Sequence, residues 1–212
     1  VSPLAEEIFH RAIAQSPYTT TVTPRQAFNE DREFPELDRG SWELVQSLGL
    51  NSETTSAGAL RSIKAYDIME AYYRLDKDHL SPLSTADGIV IPEVGIEQAL
   101  LDPQYAKSVP VLSGSNRDEV TLWMGLNRYF VNGDPVLFGL LPPRMSIKNE
   151  NTYRYWVDLR SRAWKARGVD QALLNLGQAG YAQLYSYRFD WDEQAESWFI
   201  SFPKLLGATH GG

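Results

Sequence analysis

The sequence predicts an α/β fold with a mostly parallel sheet flanked by helices, and two observations carry that expectation. Apolar runs of strand length are separated by longer stretches at helical spacing, the order that builds strand–helix–strand units. One of those runs, Val109-Pro110-Val111-Leu112-Ser113-Gly114-Ser115, is β-branched and apolar and closes in small turn residues, as a fully buried parallel strand does before a functional loop. No repeat with a period of roughly 20–50 residues and no low-complexity segment is visible, which speaks against solenoids and propellers.

In chain order, Ser2-Pro3 followed by Leu4, Ile8 and Phe9 predicts a helix that opens with proline in its first turn, where the missing N–H would have had no partner. Arg11 to Ser16 then reads as a short buried strand, ended by Pro17. From Pro24 to Leu48 the pattern is polar at helical spacing, and from Leu60 to Leu75 apolar residues fall at Leu60, Ile63, Ile68, Met69, Tyr72 and Leu75. Both stretches read as surface helices. The Val109 strand comes next, and a helix is expected after it. Tyr153 to Asn175 predicts a long amphipathic stretch with Tyr155, Trp156, Leu159, Trp164, Leu173 and Leu174 on its buried side. After the breakers Gly177 and Gly180, Ala182 to Trp191 alternates and is rich in aromatics, a strand signal.

Composition narrows the chemistry. A chain of 212 residues that is 43% hydrophobic and 22% charged can bury a core, suits one globular domain better than two small ones, and excludes wholesale disorder. A net charge of −7 with no Lys/Arg run argues against nucleic acid or an anionic membrane as the main partner. The absence of cysteine removes disulfides, thiolate metal sites and a cysteine nucleophile together, leaving oxygen and imidazole groups. His10, His79 and His210 are far apart without H-x-x-x-H spacing, which argues against a histidine-rich metal site. No apolar run approaches the roughly 18 residues of a spanning helix, and no basic-then-apolar signal pattern is present in these residues.

In parallel sheets the chemistry collects at the carboxyl ends of the strands. Two loops qualify, Ser113 to Glu119 and Gly207 to Gly212, each with an ionisable residue among small ones. A Glu followed later by a His is the order of the second and third members of a Ser–acid–His triad. A structural role competes at each position. Asn116-Arg117-Asp118-Glu119 fits a capping box in which Glu119 satisfies an orphan N–H, and His210 also reads as a solvated residue between Thr209 and glycines.

The residues also carry a resemblance. Ser2-Pro3 with Ile8 to Ser16 resembles the segment after the nucleophile helix of type B carboxylesterases, the cholinesterase-like branch of the α/β-hydrolases. Asp87-Gly88-Ile89-Val90-Ile91-Pro92 is similar to that family's D-G-x-x-x-P segment. Val109 to Glu119 is similar to its strand and acid loop, and Tyr187-Arg188-Phe189-Asp190-Trp191 and Gly207-Ala208-Thr209-His210-Gly211 resemble its last strand and histidine loop. The chain departs from the pattern where Pro17 and Val120 stand in place of glycines. It departs again at Leu50 and Ala59, which stand where many relatives carry a disulfide.

The resemblance implies a partial α/β-hydrolase fold over residues 1–212 as a single domain cut at both ends. It further implies a carboxylic ester hydrolase in which Glu119 orients His210 and a serine upstream of Val1 is the nucleophile. No G-x-S-x-G occurs in the 212 residues, so the isolated chain is expected to be inactive. Ser16 resembles the serine that supports the triad acid; as a strand-end hydroxyl it would equally bond to backbone. Leu122 and Trp123 lie where relatives line the substrate gorge, at a spacing that also suits core packing. Asp118 is a second acid, better read as a helix-start charge, and His10 and His79 read as surface residues. The implied partners are a small-molecule carboxylic ester and the missing N-terminal half of the same domain, with no nucleic acid, no membrane span in this chain, and neither a metal nor an organic cofactor. A non-catalytic cholinesterase-like adhesion or binding module is the rival reading.

Overall fold

A computed structural model describes residues 1–28, 41–51, 56–75 and 84–211. Among them the strands are β1 (Ala12–Gln15), β2 (Thr21–Val22), β3 (Ser84–Thr85), β4 (Val111–Asn116), β5 (Val131–Val136), β6 (Leu141–Ile147) and β7 (Leu184–Phe189). The helices are α1 (Pro24–Phe28), α2 (Ser41–Ser47), α3 (Ala57–Ser62), α4 (Ala65–Leu75), α5 (Gly95–Ala99), α6 (Thr121–Met124), α7 (Glu150–Trp164), α8 (Ala172–Gln178) and α9 (Phe202–Leu205). The chain divides into two compact units, Val1–Glu6 with Thr20–Ala99, and Glu7–Thr19 with Leu100–Gly212.

In the first unit, β2 and β3 pair in parallel with Thr21 opposite Ser84, and helices α1 to α5 surround that pair in sequence. Phe28 of α1 stacks on Trp42 of α2, ring centres 5.0 Å apart. The helix expected after Pro3 is only a single 3₁₀ turn, Pro3–Ala5, capped by Ser2. Leu4 stays exposed there, so no buried face holds a longer helix together. The two stretches read as surface helices each hold a pair: α1 and α2 at the ends of the first, and α3 and α4 in the second. Ile63, in extended conformation, separates α3 from α4. Asp87 Oδ1 accepts the N–H groups of Ile89, Val90 and Ile91 at 2.8–3.0 Å, which holds its carboxyl below the ordinary range and makes it a loop-forming residue. His79 and Gly40 lie outside the described residues.

The second unit is built on a three-stranded parallel sheet in the order β1-β4-β7, with Ala12 opposite Val111 and Val111 opposite Leu184. Strand β4 is central and mostly buried, as its apolar run predicts. Gly114 lies on it where a Cβ would run into the Tyr187 ring of β7. Strand β1 is not the buried strand expected: among the described residues β4 is its only neighbour, its residues alternate between half-buried and exposed, and Ile13 is exposed.

Two further departures concern the layers around the sheet. Helix α7 buries Tyr153, Val157 and Ser161, spaced i, i+4, i+8, and leaves Tyr155, Trp156 and Leu159 of the expected face exposed, while Trp164 packs on the core as expected. A π-helical turn, Lys165–Gln171, continues α7 into α8, and Gly168 and Val169 within it are buried. The antiparallel ribbon β5–β6, with Val131 opposite Ile147 and an irregularity between Asp134 and Val136, has no counterpart in the sequence expectation. Pro135, Pro142 and Pro143 mask its alternation, and a two-stranded ribbon tolerates them because its outer edges need no donor. The core of this unit gathers Val120, Met124, Val131, Tyr153, Val157 and Leu205, with Phe130, Met145, Ile147, Trp164 and Ile200 packed on it.

Candidate active site

Because β1, β4 and β7 run parallel, their carboxyl ends lie on one side, and the loops leaving them converge there. Ser16 follows β1 directly. It sits in the left-handed region, φ +51°, held by its N–H to Gly114 O at 2.7 Å. A non-glycine residue there is strained by roughly 1–3 kcal/mol, a conformation that persists only where the surroundings fix it. Here they do, since the Ser16 hydroxyl donates to Glu119 Oε1 at 2.6 Å.

Glu119, in the turn between β4 and α6, is fully buried. A buried carboxylate needs compensating donors. Its Oε1 accepts from Ser16 and from the Asn116 backbone N–H at 2.6 Å, while Oε2 lies 2.8 Å from His210 Nδ1. The backward reach to Asn116 N–H is half of the capping box expected. The other half is missing, because the Asn116 side-chain amide donates across to Thr209 O and thereby holds the histidine loop.

A carboxylate oxygen can only accept, so Nδ1 donates to it, and in the neutral imidazole Nε2 is left as the acceptor. His210 is about a third exposed, so one face reaches solvent. The imidazole lies against both Trp123 and Trp164, at ring-centre distances of 5.2 and 5.4 Å, and the two indoles stack on each other, 5.8 Å apart at 18°. Tyr18 tilts against Trp164 at 5.9 Å. Trp123 is half exposed and Leu122, beside it on α6, is also exposed. The structure thus brings together Ser16, Glu119, His210 and Trp123, and places Leu122 at the surface of the same helix.

Several site groups escaped the sequence. Trp164 was expected on the buried face of a helix, and from the last position of α7 its ring also reaches His210. Tyr153 OH donates to Leu205 O at 2.5 Å, and burial pushes its phenol up to about 12. Thr121 Oγ1 lies 2.6 Å from Leu206 O, and Gln194 Nε2 donates to Gly207 O at 2.6 Å. Asp118, which is buried, holds Ala208 through both its backbone and its carboxylate rather than merely charging a helix start. Arg117 donates to Asp118 and Asp192, and those carboxylates hold its guanidinium firmly in the charged form. Among the described residues, no group of three or more His, Asp or Glu comes together to hold a metal ion.

No family model matches the sequence, and no curated protein is similar to it. Solved structures do match. A carboxylesterase of Geobacillus stearothermophilus at pH 6.8 is 22% identical with a TM-score of 0.56, over 91% of this chain and 40% of that one. The same enzyme at pH 6.2 gives 18% identity and a TM-score of 0.59, over 97% and 44%. An esterase from the anaerobe Clostridium hathewayi that can hydrolyse aliphatic aromatic polyesters gives 19% and 0.50, over 99% and 41%. The chain spans less than half the length of each. Its mixed α/β architecture, a mostly parallel sheet flanked by helices, is the fold it shares with these carboxylesterases.

Proposed function

We propose that this chain supplies the acid and the base of a Ser–Glu–His triad in a carboxylic ester hydrolase of the type B carboxylesterase kind. One observation carries the reading: a fully buried Glu119 lies 2.8 Å from His210 Nδ1 at the carboxyl end of a parallel sheet. Esterases among the structures of the same fold support it.

In this reaction His210 Nε2 accepts the proton of a serine hydroxyl as its oxygen adds to the ester carbonyl. The imidazolium then returns that proton to the departing alkoxide, which leaves as the alcohol, and the acyl group stays on the serine. Water attacks the acyl-enzyme with the same assistance and releases the carboxylic acid. Glu119 fixes the tautomer and stabilises the imidazolium formed in both steps, and Ser16 and Asn116 fix Glu119. Trp123 and Leu122 offer apolar surface to the substrate beside the imidazole.

With no G-x-S-x-G in these 212 residues, the nucleophile and its oxyanion-stabilising N–H groups would come from outside them, upstream in the family's order. Mass spectrometry of the full-length protein after exposure to an aryl organophosphate tests this. One phosphoryl group should appear on a G-x-S-x-G serine, and its rate of appearance should collapse in His210→Ala. An unmodified protein would point to a non-catalytic binding module instead. The 212-residue chain by itself should neither be labelled on serine nor turn over p-nitrophenyl acetate.

A further inference from the structure

Five consecutive residues before His210 have backbone groups bound by side chains from elsewhere in the unit: Leu205 by Tyr153, Leu206 by Thr121, Gly207 by Gln194, Ala208 by Asp118 and Thr209 by Asn116. At Ala208 alone the grip is double. The Asp118 N–H donates to Ala208 O at 2.9 Å, and Asp118 Oδ2 accepts the Ala208 N–H at 3.0 Å. The next residue, Glu119, holds the imidazole two positions further along the same loop. Adjacent residues of one turn therefore fix the loop backbone and the ring it carries.

The carboxylate is itself held. Arg117 donates to Oδ2 through Nε at 3.0 Å and Nη2 at 2.8 Å, and the same Nη2 reaches Asp192, beyond the end of β7, at 2.6 Å. The Arg117 N–H also donates to Phe189 O at 2.9 Å, which ties this bridge to β7. Room for the carboxylate is made by the loop: Gly207 has φ +57°, and a Cβ there would run into Asp118 Oδ2. Neither the bridge nor the glycine is needed for a helix-start charge.

We propose that Asp118, clamped by Arg117, is a positioning residue that sets where the His210 imidazole stands against Glu119. It acts through the loop backbone, chiefly at Ala208. The inference rests on the hydrolase reading for its kinetic consequence but not for its geometric one. Misplacing a catalytic group by about 1 Å costs on the order of a hundredfold in rate, because the reacting geometry is lost while binding is not.

The full-length protein with Asp118→Asn, Asp118→Ala and, as control, Asp190→Asn provides the test. The Asp190 carboxylate pairs with the exposed Arg188, and the residue meets Arg117 only through its backbone carbonyl, which the substitution keeps. Two quantities are measured: kcat and KM for p-nitrophenyl acetate, and the NMR signal of the His210 Nδ1-bound proton, assigned by its loss in His210→Ala. Asp118→Asn keeps an acceptor for Ala208 N–H and should lower kcat about tenfold, Asp118→Ala about a hundredfold, with KM within about twofold in both. The Nδ1–H signal should shift and broaden in the same order and be unchanged in Asp190→Asn. Loss of folded protein alone would scale kcat and signal intensity together without moving the signal, and that result overturns the inference. Unchanged kcat and signal in both variants overturns it too; if Asp118→Ala does not fold, Asp118→Asn decides. A protein without esterase activity whose Nδ1–H signal still depends on Asp118 would refute the hydrolase reading and leave this one standing.

Discussion

Glu119 has its two oxygens divided: Oε1 takes the Ser16 hydroxyl and the Asn116 N–H, and Oε2 faces His210 Nδ1. Glu119→Gln keeps the shape but turns one oxygen into an NH₂ donor, which then faces either the Asn116 N–H or the imidazole N–H. The second arrangement forces the other tautomer and leaves Nε2 protonated when it should accept. On the proposed triad, kcat of the full-length protein for a p-nitrophenyl ester should fall about 10³–10⁴-fold with the fold intact, measured alongside the unfolding midpoint. Glu119 and His210 were singled out by an acid in the turn after one strand and a histidine after a later strand, an order that left a capping role and a solvated role open until the resembling segments around them were added. Asn116 was half legible, since a capping motif describes contacts within one turn and cannot show that its side chain is drawn to Thr209 by the tertiary fold. Trp164 was placed as core and does pack there, but a helical pattern cannot show that its ring also reaches His210.

At the level of elements, the π-helical turn after α7 has a positional consequence. Gly168 within it packs on the carbonyl of Pro17, where a Cβ would collide, and Pro17 follows the strained Ser16. Gly168→Ala should destabilise the protein by about 1–3 kcal/mol, read from the urea midpoint, and lower activity by loosening the Ser16 hydroxyl from Glu119. Destabilisation without any loss of activity per folded molecule would disconnect this turn from the site. Helix α7 carries a second consequence through Tyr153, whose buried hydroxyl must stay protonated to donate to Leu205 O.

The phenol is raised in the folded state, from 10.0 to about 12, so its neutral form is favoured by folding. That contribution is complete below about pH 10 and is lost as pH rises toward about 12. Tyr153→Phe should therefore be less stable than the parent by about 1 kcal/mol at pH 8, with the gap shrinking across that window. A gap independent of pH would contradict the burial of this hydroxyl. The face containing Tyr153 was not legible because two stripes of α7 share helical spacing. Hydrophobicity favours Tyr155, Trp156 and Leu159, whereas packing on Leu205 and Met124 selected the other.

For the molecule as a whole, the fold class was legible from the alternation of strand and helix signals, above all from the buried run of β4. Strand β1 was misjudged because composition reports what a strand can bury, while the number of neighbouring strands decides what it does bury. The β5–β6 ribbon was missed because its prolines erase the period-two signal that defines strands in a sequence. The site depends on the correct part of that reading, since a parallel β1-β4-β7 sheet is what places Ser16, Glu119 and the histidine loop on one side. The most direct measurement is kcat/KM of the full-length protein for p-nitrophenyl acetate with His210 intact and with His210→Ala. A loss of at least about 10³-fold, with the fold unchanged, is expected of a triad base. Equal turnover by the two proteins would contradict the assignment of His210 and, with it, the triad.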